Sequence, residues 1–314
     1  MKRNRGITLI ALVITIIVLL ILAGVAISML SGENGILRKA AEAKTKTEEG
    51  QKQEETALAS MELETYFQTE NKKYKCSNGF ITGIEVGSKV DQLQSALPDG
   101  YTVKAIDETD NFTATDTGKE DGNPIVTTGL AIQKDNKTVA RTVIFGDVTC
   151  DGSINMGDAG HTSNYIQDLE KINNDFELIA MDVNNDKRIN FEDANFITDA
   201  FMGYKVIEQN RYVVNPKEIL SETDSYLKQK YIEETKKKLE NTSYTGELKK
   251  SGNYNIKGIT QGTTVQNMLD ILPSNTEIQR NGQALNGTDE IQNLDGVVYS
   301  YDSRKIDIGW LYLN

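Results

Sequence analysis

One histidine, two cysteines, one tryptophan and four prolines are all that this 314-residue chain contains of those types. With a single histidine, His161, there is almost no scope for a histidine-based catalytic site. Two cysteines are too few for a disulfide scaffold or a cysteine-rich metal site. Clustered cations are also missing: 34 Lys and Arg stand against 46 Asp and Glu, a formal charge of −12. A nucleic-acid binder needs basic clusters to displace condensed counterions, so no nucleic-acid partner is expected. The length leaves room for two or three small domains.

The charge is uneven. Between Gly146 and Gly203 there are three Lys or Arg and twelve Asp or Glu, a net −9. Ile7 to Leu30, by contrast, carries no charge at all. At ~1.5 Å per residue such a run is long enough for a bilayer, and Lys2, Arg3 and Arg5 precede it. These features predict a transmembrane helix over residues 7–30, a cytoplasmic amino terminus and an extracellular remainder, the topology of a single-pass membrane protein. A secretory signal is the competing reading, but its apolar region would be only ~7–15 residues long. The leader MKRNRG followed by ITLI resembles the start of type IV prepilins and pseudopilins. That resemblance implies cleavage after Gly6, with Ile7 as the new amino terminus, and filament subunits as partners. Where the family has glutamate at the fifth mature position, this chain has Ala11. Residues 31–78 read as a helical stalk with an intermittent apolar stripe at Leu58, Met61, Leu63, Tyr66 and Phe67, loosened at Gly32, Gly35 and Gly50.

The chain also repeats itself. Gly83–Ala105 aligns without gaps to Gly258–Arg280, an offset of 175, with Gly, Ile, Gly, Val, Leu and Pro coinciding. Ser88 with Asp91, and Thr263 with Gln266, are candidate capping boxes of one short helix in each copy, which a Leu-Pro pair stops. Strands are predicted at 80–86, 101–106, 127–133 and 138–145, with a hairpin turn at Asp135-Asn136, and again at 297–301 and 305–313. Residues 79–145 and 251–314 therefore read as two small β-rich modules. Residues 204–250 hold a linker helix of about 24 residues, with Asn215 as N-cap and Pro216 at the first helical position.

A second repeat explains the acidity. Asp147–Asp158 (DVTCDGSINMGD) and Asp182–Asp193 (DVNNDKRINFED) are offset by 35 and agree at loop positions 1, 2, 5, 8, 9 and 12. Oxygen donors at positions 1, 3 and 5, a backbone carbonyl at 7, a water-mediated contact at 9 and a carboxylate at 12 are how a twelve-residue loop wraps Ca²⁺. The candidate ligands are Asp147, Thr149, Asp151, Ser153, Asn155 and Asp158 in the first loop. In the second they are Asp182, Asn184, Asp186, Arg188, Asn190 and Asp193. Two Ca²⁺ ions are expected. Thr149 is a weak position-3 ligand, and Lys187 occupies the turn position where glycine is favoured. Ile154 and Ile189, at position 8, are predicted to pair in a short β-bridge. Because Thr142–Phe145 reads as a strand, the motif is expected to be loop then helix, not helix–loop–helix, in both copies.

Duplicated loop–helix units with Asp at position 12 resemble the type I dockerin, over residues 146–203. That resemblance implies binding of a cohesin-like domain through loop positions 10 and 11, here Met156 and Gly157, and Phe191 and Glu192. The β modules look like those that often accompany dockerins in bacterial surface proteins. Cys76 and Cys150 flank the first module; they either form a disulfide or remain free thiols. The fold class expected is α+β and multidomain: a basic leader (1–6), a long transmembrane helix (7–30), a stalk (31–78), two β-rich modules and a duplicated loop–helix calcium domain. No enzyme is expected, since modules this small leave no room for a hydrolase and no carboxylate pair stands apart from the loops. The function expected is calcium-dependent protein–protein attachment in a cellulosome-like or surface assembly. The alternative is a minor filament subunit in which calcium only staples the fold.

Overall fold

The computed structural model describes residues 9–31, 36–104, 106–107, 112–113 and 124–314. The chain divides into two compact units, Met1–Met61 and Glu62–Asn314. In the first unit the uncharged run forms helix α1 (Leu9–Ser31), and α2 (Ile36–Thr69) begins. Gly50 does not interrupt α2, because one glycine costs only about 1 kcal/mol in a 34-residue helix. Gly32 and Gly35 lie outside the described residues.

The membrane expectation is corrected here. Among the described residues no helix is long and apolar enough to cross a membrane. Neither the transmembrane helix over 7–30 nor the single-pass localisation is retained. Gly6 and Ile7, the predicted processing site, lie outside the described residues.

The second unit contains the end of α2, whose Leu63 and Phe67 are buried, and two sheets. The first sheet uses β1 (Lys75–Ser77), β2 (Phe80–Thr82), β3 (Tyr101–Lys104), β6 (Ala131–Lys134) and β7 (Lys137–Thr142) in the order β1-β2-β7-β6-β3. The second uses β8 (Thr245–Leu248), β9 (Tyr254–Ile259), β10 (Thr276–Arg280), β12 (Asp295–Tyr301) and β13 (Arg304–Leu313), with short β11 (Gln283–Ala284) at the edge. Its order, β8-β9-β13-β12-β10-β11, is that of the first sheet plus one edge strand. The senses agree too: β2–β7 and β9–β13 are the parallel pairs, and the equivalent others are antiparallel. The offset of 175 is also kept by helix α3 (Val90–Gln94) and α8 (Val265–Leu269). Their N-caps are Lys89 and Thr264, one residue later than the capping boxes predicted. Gly83 and Gly258 are both left-handed, and a Cβ at either would approach a backbone oxygen at 3.1 and 3.3 Å. A third, two-stranded sheet pairs β4 (Ile106–Asp107) with β5 (Phe112–Thr113).

Between the sheets run α4 (Met156–Ile166), α5 (Asp175–Met181), α6 (Phe191–Phe201) and α7 (Pro216–Leu239). Asn215 caps α7, accepting from the Lys217 amide at 3.0 Å. The buried stripe Ile219, Thr223, Leu227, Tyr231, Leu239 makes α7 a core element. One apolar core runs from Val143 through α4–α7 to Leu311 of the second sheet. Arg304 clamps the join: it bonds Asp224 of α7 at 2.8 Å and Asp302 at 2.9 Å. Nearby, the Tyr301 hydroxyl donates to the Tyr165 carbonyl of α4 at 2.6 Å. The 203–215 connector is laced to the first sheet, with the Val213 amide donating to Ser77 Oγ and Thr82 Oγ1 to the Arg211 carbonyl.

Candidate metal centre

The second loop sits between α5 and α6, so helix–loop–helix, not loop–helix alone, is its architecture. Asn190 caps α6 by accepting from the Glu192 amide at 2.7 Å, and Asp193 Oδ2 accepts from the Asn190 amide at 3.0 Å. Asn184 Oδ1 and Asp186 Oδ1 each close a local turn, on the Asp186 and Arg188 amides. Lys187 adopts φ +69°, the strained conformation its position demanded. Asp182 and Asp193 are buried, and Oδ1 of each has no hydrogen-bond partner. Burial pushes the Asp182 carboxyl up to about 6 and the Asp193 carboxyl up to about 8, from 3.8. Arg211 lies over the Phe145 ring at 3.7 Å and bonds the Asp182 main-chain carbonyl, not a carboxylate. Its charge acts on both acids, yet burial lowers its own pKa. Two orphaned carboxylate oxygens in a low-dielectric pocket are costly as they stand and fit a hard cation.

The first loop has the same local skeleton. Asn155 caps α4 on the Gly157 amide at 2.6 Å, and Asp158 Oδ2 accepts from the Asn155 amide at 2.8 Å. Its acids, however, are satisfied by protein. Asp158 Oδ1 accepts from the Val148 and Thr149 amides and from Thr149 Oγ1, each at 2.9 Å. Asp147 Oδ1 accepts from the Asp151 and Gly152 amides at 3.0 and 3.1 Å. Its Oδ2 accepts from the Thr128 amide, outside the loop, at 2.8 Å. Asp151 accepts from the Ser153 amide at 2.8 Å. Burial moves Asp147 up to about 7 and Asp158 upward as well. Among the described residues no three His, Cys, Asp or Glu side chains converge closely enough to hold a metal ion. The donor chemistry of the second loop fits one, with Asn184 and the Arg188 carbonyl completing the oxygens.

Residues 145–202 match the dockerin type I domain. Dockerin domains bind calcium and attach to cohesin partners, which accounts for two acidic twelve-residue loops each leading into a helix. No curated protein and no solved structure matches the chain. Within the dockerin segment α4 and α6 pack on each other. The four predicted partner residues open these helices, and Met156, Gly157, Phe191 and Glu192 are all exposed.

One local expectation is corrected and one open alternative is decided. Ile154 and Ile189 form no bridge; the isolated bridges among the described residues are Lys89–Ile125 and Thr264–Glu290. The Ile189 amide donates instead to Thr223 Oγ1 of α7 at 3.0 Å, which removes the donor the bridge needed. Cys76 and Cys150 are both buried and both free, so they form no disulfide. Burial raises both thiols, Cys76 to about 12, and holds them protonated.

Three contributors escaped the sequence reading: Thr128, Arg211 and Thr223. Thr223 carries a signal, a hydroxyl on an otherwise apolar i, i+4 stripe between Ile219 and Leu227. Thr128 and Arg211 are brought in from 19 and 29 residues away along the chain and have no local signature.

Proposed function

We propose that this chain is a non-enzymatic attachment protein whose dockerin segment binds a cohesin-like domain when calcium occupies the second loop. The observation that carries the reading is the pair of buried, unpartnered oxygens on Asp182 and Asp193, inside the segment that matches the dockerin family. Asp182, Asn184, Asp186, the Arg188 carbonyl and Asp193 would hold the ion, with Asn190 at the water-mediated position. Bound calcium would add positive charge directly at these desolvated carboxylates, beyond what Arg211 provides. The chain's own contribution is to fix α6, which begins at position 10 of that loop, through the Asn190 cap and Asp193.

The exposed helix starts, Met156-Gly157 and Phe191-Glu192, are the proposed contact residues for the partner. Neither pair is the hydroxyl pair common in dockerins, so the partner should be a cohesin that accepts an aromatic at α6. The two β modules act as a frame, since the core of the dockerin segment continues into α7 and the second sheet. The test is capture of purified cohesin domains by the intact chain with calcium and with EGTA. Capture in calcium that is lost in EGTA is expected; no capture from a broad cohesin panel in either condition contradicts the attachment role.

A further inference from the structure

The two loops are equivalent in sequence, and their agreement leads to an expectation of two ions. Their buried acids differ in one respect that decides occupancy. In the second loop Asp182 Oδ1 and Asp193 Oδ1 are buried without a well-formed hydrogen bond, and the Asp186 and Lys187 amides near Asp182 and the Asn184 amide near Asp193 only partly offset their burial. In the first loop every carboxylate oxygen of Asp147 and Asp158 accepts at least one hydrogen bond from protein. A carboxylate offers roughly four lone-pair directions. Asp158 accepts four hydrogen bonds, three of them shared on Oδ1, and Asp147 accepts three.

The position-3 side chain tells the same story. Thr149 donates its hydroxyl to Asp158, so a position-3 group and the position-12 carboxylate that would both face an ion are bonded to each other. Its counterpart Asn184 has only a local turn contact to the Asp186 amide. The 125–128 segment, which leads into β6, then closes the first loop from outside. The Thr128 amide takes Asp147 Oδ2, and Gly152 is packed so tightly that a Cβ there would lie 2.7 Å from Ile125 Cδ1 and 3.1 Å from the Val126 carbonyl oxygen.

We infer that the first loop is a metal-free turn, locked by hydrogen bonds within the loop and from the Thr128 amide of the neighbouring 125–128 segment, and that the chain binds a single Ca²⁺, at the second loop. The inference rests on the calcium reading above and assigns it to one site. To load the first loop, an ion would have to break the Thr149–Asp158 and Thr128–Asp147 bonds, whereas in the second it meets two carboxylate oxygens with no well-formed hydrogen bond to break. Both helix starts are capped by the chain itself, through Asn155 with Asp158 and Asn190 with Asp193, and calcium adds its stabilisation only beside α6.

The test counts ions on the full chain by equilibrium dialysis with ⁴⁵Ca²⁺ at saturation, for the natural sequence, Asp186→Ala and Asp151→Ala. These position-5 acids are half-buried and lie at equivalent places. One ion for the natural chain and for Asp151→Ala, with a loss of at least tenfold in affinity for Asp186→Ala, is expected. Two ions on the natural chain, or loss of the single ion in Asp151→Ala, overturns the inference while leaving calcium binding intact. No ion on the natural chain overturns the calcium reading itself. Because the natural chain alone separates one ion from two, misfolding of a variant does not blunt the test.

Discussion

The two twelve-residue loops of the dockerin segment agree at half their positions and bury their first and last aspartates alike, yet they neutralise them by different means. The first surrounds its acids with amide donors, including one from the neighbouring 125–128 segment; the second leaves two oxygens without a well-formed hydrogen bond. The difference does not lie in the ligand pattern. It lies in what each loop packs against: the 125–128 segment over the first, and α7 with Arg211 beside the second. A motif repeated in sequence is thus made asymmetric by tertiary surroundings.

That comparison can be broken or sharpened by substitution. The largest effect should come from Asp158→Ala, which strips the Val148, Thr149 and Asn155 amides of their acceptor. A loss of about 3–5 kcal/mol is expected from several charge-assisted bonds lost together. Urea melts should show it equally with and without calcium. Asp193→Ala should behave oppositely, abolishing the calcium response. A ligand at one hundred times its Kd stabilises by about 2.7 kcal/mol, or about 5–10 °C in Tm for a fold of this size. Calorimetry should show that increment in the natural chain and none in the variant.

The pH dependence separates the loops further. The folded pKa values of Asp182, Asp193 and Asp147 all lie above the ordinary 3.8. A carboxyl raised in this way makes the folded state hold more protons than the unfolded one, so stability falls as pH rises between the two values. Without calcium, stability should therefore decline from about pH 4 to about pH 8. Calcium, which competes with protons for Asp182 and Asp193, should bind more tightly as pH rises from about 6 to 8 and cancel their share of the decline. The share of Asp147, ending near pH 7, should persist. Denaturant midpoints across pH, with and without calcium, check both parts.

The smallest effects concern the turn position. Gly152→Ala should destabilise by about 1–3 kcal/mol, since it combines φ +81° with the Ile125 clash. Lys187→Gly should stabilise by at most about 1 kcal/mol through relief of φ +69°. It also loses the exposed Lys187–Glu218 pair at 2.6 Å, a contact of little worth in water.

What sequence could reveal followed from locality. The cap at Asn215, the hairpin turn at Asp135-Asn136 and the helix α7 over Pro216–Leu239 are all set by neighbours within a few residues. The repeat of Gly83 and Gly258 was legible for the same reason, and the matching strand orders extend it to a duplicated sheet. Strand ends were less legible: β6 begins at Ala131, not Thr127, because Thr127 and Thr128 are drawn off to Thr142 and Asp147. Helix α5 was missed because Leu178–Met181 is a short continuous apolar run, which suits either a buried strand or a buried helix. In the candidate site, ligand identity was legible from spacing, while occupancy depended on Thr128, Thr223 and Arg211, whose approach is purely tertiary.

Amide hydrogen exchange on the intact chain, read by mass spectrometry with and without calcium, tests the asymmetry most directly. The account predicts that residues 147–158 are protected in EGTA and gain nothing from calcium, while residues 182–193 and the start of α6 gain protection on calcium addition. Equal gains in both loops would contradict it.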